Sequence, residues 1–180
     1  MKTCVFAGSN PTAGRMGLAL PPNIDMMVTE ITHNNRNVMP YLEKEKPDLV
    51  FLLWWPYIIK KEILDLASIG FVNMHPSMLP HCRGKDPYFW SIVENAPFGL
   101  TIHFVDEGID TGDILFQKQI LYGALDTEKS LWKKATDLAP QFLADKFDDI
   151  VNGNYTRTKQ DLSEGSFHFK REKEEWMKLV

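Results

Sequence analysis

Residues Asp48–Trp55 read DLVFLLWW, an almost unbroken apolar run. A strand with one face in water alternates apolar and polar side chains. A run without that alternation has both faces covered, as in the central strand of a parallel sheet flanked by helices. The apolar stretch continues to Ile59 but contains Pro56, and its 11 residues from Leu49 fall short of the roughly 18 needed to span a bilayer. The opening MKTCVFAGSN has too short an apolar run for a secretory signal. Cys4 and Cys82 lie far apart with no CxxC, as expected of free thiols in a reducing compartment. A cytoplasmic protein is expected.

Other segments alternate strand and helix around that run. Thr3–Ala7 predicts a first strand, followed by the turn-rich GSNPTAG and a short helix near Arg15–Leu20 that stops at Pro21 and Pro22. Met26–Ile31 predicts a strand, and Val38–Glu45 a helix with Pro40 tolerated in its first turn. Lys61–Leu66 and Tyr88–Val93 read as helices, and Gly70–Met74, Leu100–Val105 and Ile114–Leu121 as strands. From Glu128 to Val151 apolar residues recur at Leu131, Ala135, Leu138 and Phe142, then at Leu143, Phe147 and Ile150, one face of a long helix. Asp126 or Thr127 is placed to cap it, and Pro140 should kink or divide it. Residues from about 155 to 180 read as a short strand and then a charged helix, whose KREKEE is a solvated face. The whole predicts one α/β domain over residues 1–180, mostly parallel, with ligands at the carboxyl ends of the strands.

The residues able to do chemistry concentrate between Asn73 and Leu115. Asn73 and His75, two apart at a strand end, point to the same side. The loop HPSMLPHCRGKDP that follows holds three prolines, which disfavour regular structure there. If the strand before DEGIDTGD is a neighbour, Asp106, Asp110 or Asp113 can reach His75. An amide, an imidazole and a carboxylate together suit attack on a carbonyl: one donates to the oxyanion, one moves a proton, and one orients the imidazole. The plainer reading, that Asn73 and His75 only form turns and structural hydrogen bonds, stays open at this point. His103 reads as a satisfied core histidine. His75, His81 and Cys82 match no standard zinc spacing, so no metal is expected. Gly8, Gly14 and Gly17 form neither common nucleotide-binding glycine pattern. WWPYII is either core and turn or a flat apolar slot for an aromatic ring. A net charge of −4 weighs against a nucleic-acid partner.

NMHPSMLPHCRG followed by GLTIHFVDEGIDTGDIL resembles the signature of the formyltransferases that use 10-formyltetrahydrofolate. These include glycinamide ribonucleotide transformylase, methionyl-tRNA formyltransferase and the sugar-nucleotide N-formyltransferases. The resemblance implies the formyltransferase version of the Rossmann-like sheet and a catalytic set of Asn73, His75 and Asp110. It also implies a pterin site at Tyr57, Ile58, Ile59 and Leu64, closed by the loop holding Asp106 and Gly108, with Lys60 where family members often have proline. Ser77, Arg83, Gly84 and Lys85 are implied to meet the acceptor substrate, with Arg83 and Lys85 on a phosphate. Tyr88 and Trp90 line a sugar or base pocket or belong to helix core. WWPYIIKKEIL and RGKDPYFW look most like the sugar N-formyltransferases, so the expected acceptor is the amine of a nucleotide-linked amino sugar. Phe6 stands where a glycine of the phosphate loop of glycinamide ribonucleotide transformylase would be. The sequence ends at Val180, leaving no room for the C-terminal barrel of tRNA-acting relatives. Those two enzymes and a formyltetrahydrofolate hydrolase are the alternatives. The expected partners are small molecules, with no membrane, and a homodimer is compatible. The first half of the sheet is shorter than is usual in the family.

Overall fold

A computed structural model describes residues 1–8, 11–21, 26–31 and 37–179, with the backbone alone for Met26–Ile31. The elements are β1 (Thr3–Gly8), α1 (Pro11–Leu18), β2 (Met26–Ile31), α2 (Met39–Glu45), β3 (Leu49–Leu53), α3 (Lys61–Leu64) and β4 (Gly70–His75). They continue as β5 (Arg83–Gly84), α4 (Pro87–Val93), β6 (Gly99–Phe104), β7 (Ile114–Gln119), α5 (Glu128–Val151), β8 (Phe167–His168) and α6 (Lys170–Trp176). Six strands form one sheet in the order β2-β1-β3-β4-β6-β7. The first four run parallel, whereas β6 and β7 are antiparallel to their neighbours.

β3 is the centre that its apolar run predicts. All five of its residues are buried, and it pairs in parallel with β1 on one side and β4 on the other. Successive side chains alternate between faces, so the strand feeds two cores. Leu49, Phe51 and Leu53 join Val5, Met16, Phe142 and Phe147 on the α1–α5 face. Val50 and Leu52 join Phe6, Leu42, Ile59 and Phe71 on the other. This strand is therefore a rigid spine with helices on both sides. Its carboxyl end, and that of β4 beside it, open into the same cleft.

Thr127 caps α5: its hydroxyl accepts from the Ser130 amide at 3.2 Å, while the Ser130 hydroxyl accepts from the Thr127 amide at 2.9 Å. The helix is not divided at Pro140 and runs as one element of 24 residues. Proline has no N–H to give the carbonyl four residues earlier, that of Thr136. Nη2 of Arg15, from α1, donates to that carbonyl at 2.9 Å, so a neighbouring helix supplies the missing donor. Smaller differences have similar local causes. α1 starts at Pro11, earlier than its apolar pattern suggests, because proline is preorganised for a first helical position. α3 is a single turn ending at Leu64 rather than Leu66. The proline-rich loop after β4 contains two strand residues, Arg83 and Gly84, which pair with Phe167 and His168 of the tail. Ser9 and Asn10 of the first turn, and Pro22, lie outside the described residues.

Candidate active site

β4 and β6 are antiparallel neighbours with Asn73 opposite His103 and His75 opposite Thr101. Period-two alternation sends Asn73 and His75 to the same side, as their spacing predicts, and both line one cleft. His103 lies beneath them and is 1% exposed. Its Nδ1 meets the Phe104 carbonyl at 2.8 Å and its Nε2 meets Asn73 Nδ2 at 3.3 Å. Nδ1 must donate to a carbonyl, so in the neutral ring Nε2 is an acceptor and the Asn73 amide turns its N–H toward it. Burial lowers the His103 pKa, against the raising influence of Asp110, so the ring is neutral. Asn73 keeps a second N–H, and its buried Oδ1 has no protein partner.

The third member arrives on the loop after β6. Asp110 has a positive φ of 53°, a left-handed conformation that aspartate tolerates better than most residues. Gly112 makes the return possible, since a Cβ there would lie 2.0 Å from the Phe104 carbonyl oxygen. Gln160 pins the loop by donating to the carbonyls of Asp110 at 2.9 Å and Gly112 at 2.7 Å. The Asp110 carboxylate lies 3.4 Å from His75 Nδ1 and 3.6 Å from His103 Nε2, and accepts from the Gly84 amide at 3.0 Å. Burial pushes its pKa up, but the facing His75, the Gly84 amide and Lys85 outweigh that and hold it below the ordinary aspartate value. Of the three candidate aspartates the structure thus brings Asp110 to His75. Asp106 instead accepts from the Thr111 hydroxyl at 2.6 Å and the Gly108 amide at 3.0 Å, and Asp113 pairs with Arg157 at 2.9 Å. His75 is held at its other end too, with Nε2 3.1 Å from the Cys82 carbonyl. That carbonyl can only accept, so Nε2 carries a proton and the exchangeable one sits at Nδ1, facing Asp110.

The cleft encloses about 530 Å³, within the usual range for a small-molecule site. Tyr57, Ile58, Ile59, Asp106 and Gly108 line it with the catalytic candidates, as do Gly84 and Lys85. Three residues expected at ligands do not line it. Leu64 packs into the α2–α3 core. Ser77 is fully buried and donates to the His81 carbonyl at 2.7 Å, tying the proline loop together. The Arg83 guanidinium sits 5.8 Å over the Phe167 ring. Trp90 lies in a small separate core with Cys82, and Tyr88 packs on the main core. The proline loop therefore presents Gly84 and Lys85 to the cleft, but not Ser77 or Arg83. Sequence reasoning missed His103 and the tail residues Phe167 to Lys170, which complete the wall. The adjacency of β6 to β4 exposes the first, while nothing local in SFHFK marks the second. Among the described residues no group of three or more His, Cys, Asp or Glu is placed to hold a metal ion, and no helix is long and apolar enough to cross a membrane.

A family model described as formyl transferase matches residues 13–146. Methionyl-tRNA formyltransferase of Clostridium tetani is 30% identical over 151 residues, 83% of this chain and 49% of its own length. The chain spans about half the length of the curated relatives it matches. Among solved structures, the formyltransferase PseJ from Anoxybacillus kamchatkensis, in complex with UDP-4,6-dideoxy-4-formamido-L-AltNAc and tetrahydrofolate, superposes with a TM-score of 0.80 at 26% identity, covering 99% of this chain and 91% of that one. Phosphoribosylglycinamide formyltransferase from Bacillus halodurans shares the fold, with a TM-score of 0.68 at 22% identity over 86% of this chain and 97% of that one.

Proposed function

Because the chain belongs to the formyl transferase family, we propose that it transfers a formyl group from 10-formyltetrahydrofolate to a primary amine, that of a nucleotide-linked amino sugar. The convergence of Asn73, His75 and Asp110 on one cleft carries this reading. The cleft suits the donor: Trp54, Trp55, Tyr57, Ile58 and Ile59 form an apolar, aromatic wall, and the buried Oδ1 of Asn73 and Nε1 of Trp55 lack protein partners. A bound 10-formyl folate would supply the formyl carbon.

Asn73 donates its free N–H to the oxygen on which negative charge develops, with the amide held rigid by His103. Asp110 is ionised at neutral pH because its pKa is lowered, so it attracts a cationic amine. The ammonium gives up one proton through water and becomes the neutral nucleophile. As its nitrogen bonds the formyl carbon, Nδ1 of His75 takes a second proton, and Asp110 stabilises the imidazolium across 3.4 Å. His75 returns that proton to the folate nitrogen as the bond between that nitrogen and the formyl carbon breaks. Cys82 and Asp110 fix the ring from both ends, so the transfer needs no reorientation of the imidazole.

Two observations favour a nucleotide sugar. Lys85 and Lys170 line the cleft beside Phe167 and Phe169, cations and rings that suit a diphosphate and a base. PseJ, alike over nearly the whole chain, is the second. The sequence relatives favour a second reading, methionyl-tRNA as acceptor. The test is to incubate the protein with 10-formyltetrahydrofolate and dTDP-, UDP- or GDP-linked amino sugars, glycinamide ribonucleotide, or methionyl-tRNA. A gain of one formyl group in the mass of an amino-sugar nucleotide is expected. Formylation of the tRNA or the ribonucleotide alone would replace this acceptor.

A further inference from the structure

We infer that the tail segment Ser166–His168, which carries β8, is the back support of the catalytic pair, and that His168 is the positioning residue that locks it there. The inference rests on the formyl-transfer reading. The segment Cys82–Lys85 has two hydrogen-bonding edges. On one, the amides of Cys82, Arg83 and Lys85 donate to the Ser166 hydroxyl at 2.9 Å, the Ser166 carbonyl at 3.0 Å and the His168 carbonyl at 3.0 Å. On the other, the Cys82 carbonyl holds His75 and the Gly84 amide holds Asp110. A few residues thus join the tail to both members of the pair. Gly84 lets the tail come this close: its φ is +87°, and a Cβ there would lie 2.4 Å from the His168 carbonyl oxygen.

His168 fastens the tail by its side chain. Its ring stacks on Trp90 at 3.8 Å with planes 7° apart. Nε2 lies 2.6 Å from Glu94, at the end of α4, and Nδ1 lies 2.9 Å from Glu172, on α6. A ring between two carboxylates serves both as donor only when each nitrogen carries a proton. The other oxygen of Glu94 accepts from the Ser166 hydroxyl at 2.6 Å, so one carboxylate binds both ends of the tail segment. His168 lines the cleft, but Glu94 and Glu172 occupy both its ring nitrogens, so none of these groups is left to serve the reacting atoms. They act by holding Cys82 and Gly84, and a displacement of about 1 Å at a catalytic pair costs on the order of 100-fold in rate.

The experiment compares wild type with His168→Asn, and Glu172→Gln with Glu172→Ala. Hydrogen exchange of the Gly84 amide is read without substrates, and kcat and KM are read with them. His168→Asn should speed Gly84 exchange about tenfold or more and lower kcat about 10- to 100-fold, with the folate KM moving less than about threefold. Glu172→Gln, which keeps an acceptor for Nδ1, should stay near wild type where Glu172→Ala does not. If His168→Asn does not fold, Glu172→Ala gives the same readings at smaller size. Unchanged Gly84 exchange, or a fall carried by KM alone, would overturn the inference. An inactive wild type would sink the formyl-transfer reading and leave the exchange result to judge the support on its own.

Discussion

Asp110→Asn removes one negative charge from the proposed catalytic pair and changes little else in shape. The carboxamide keeps an oxygen for the Gly84 amide, now 3.0 Å from the carboxylate, and its NH₂ can turn toward His103 Nε2, 3.6 Å from the other oxygen. The fold should survive. A hydrogen bond to a charged group is worth about 1.5–3 kcal/mol and a neutral one about 0.5–1.5, so the variant should be about 1 kcal/mol less stable at pH 7. The sign with pH follows from the lowered pKa of Asp110. A carboxyl whose folded value is depressed stabilises fully above its unfolded value, near 3.9. That contribution is lost as pH falls through the lower, folded value. Urea melts should therefore show a gap between wild type and variant at pH 7 that narrows below about pH 4. Kinetics should show the larger effect. Without the charge that stabilises the imidazolium, kcat should fall about 100- to 10,000-fold, while folate binding changes little. Tetrahydrofolate release followed by absorbance gives kcat. A variant that keeps a third of wild-type kcat, or a stability gap that widens in acid, would refute the assignment. So would Asp106→Asn abolishing turnover where Asp110→Asn does not.

Asn73→Ala should lower kcat about 100- to 1,000-fold and lower stability by about 1 kcal/mol in a melt, because it leaves the buried Nε2 of His103 without its donor. Ile58 is exposed and lines the cleft, so Ile58→Asp should raise the folate KM in steady-state assays and leave the acceptor KM alone. Ile59 lies nearby but is buried in core, and its substitution would mix binding with stability. Arg15→Ala should destabilise by about 1 kcal/mol by leaving the Thr136 carbonyl without its donor. In a Pro140→Ala background, where the helix regains its own N–H, most of that cost should vanish in a double-mutant cycle by urea melts.

Periodicity made much of this architecture legible. The both-faces-apolar run of β3, the seam of α5 and the two-residue spacing of Asn73 and His75 each report a local rule, and each appears in the structure. The choice among the aspartates was legible only through resemblance, because loop geometry at Asp110 and Gly112 decides it. His103 looked like core because it sits mid-strand. Its second ring nitrogen becomes meaningful only when β6 lies beside β4. Pro140 was a sound local prediction of a break, overridden by one arginine more than a hundred residues away in the chain. Ser77 and Arg83 are polar residues of the proline loop whose side chains do not line the cleft: one donates to the His81 carbonyl and the other lies over Phe167. The role of the tail was invisible, since β8 is two residues long and gains its meaning from its partner strand.

The amine dependence of folate consumption tests whether this cleft transfers a formyl group. Wild type should release tetrahydrofolate from 10-formyltetrahydrofolate only when an amine acceptor is present, one formylated amine for each folate, and a His75→Ala, Asp110→Asn double variant should release almost none. Equal release with and without an amine, with formate as the product, would contradict transfer and point to hydrolysis; full activity in the double variant would place the chemistry elsewhere.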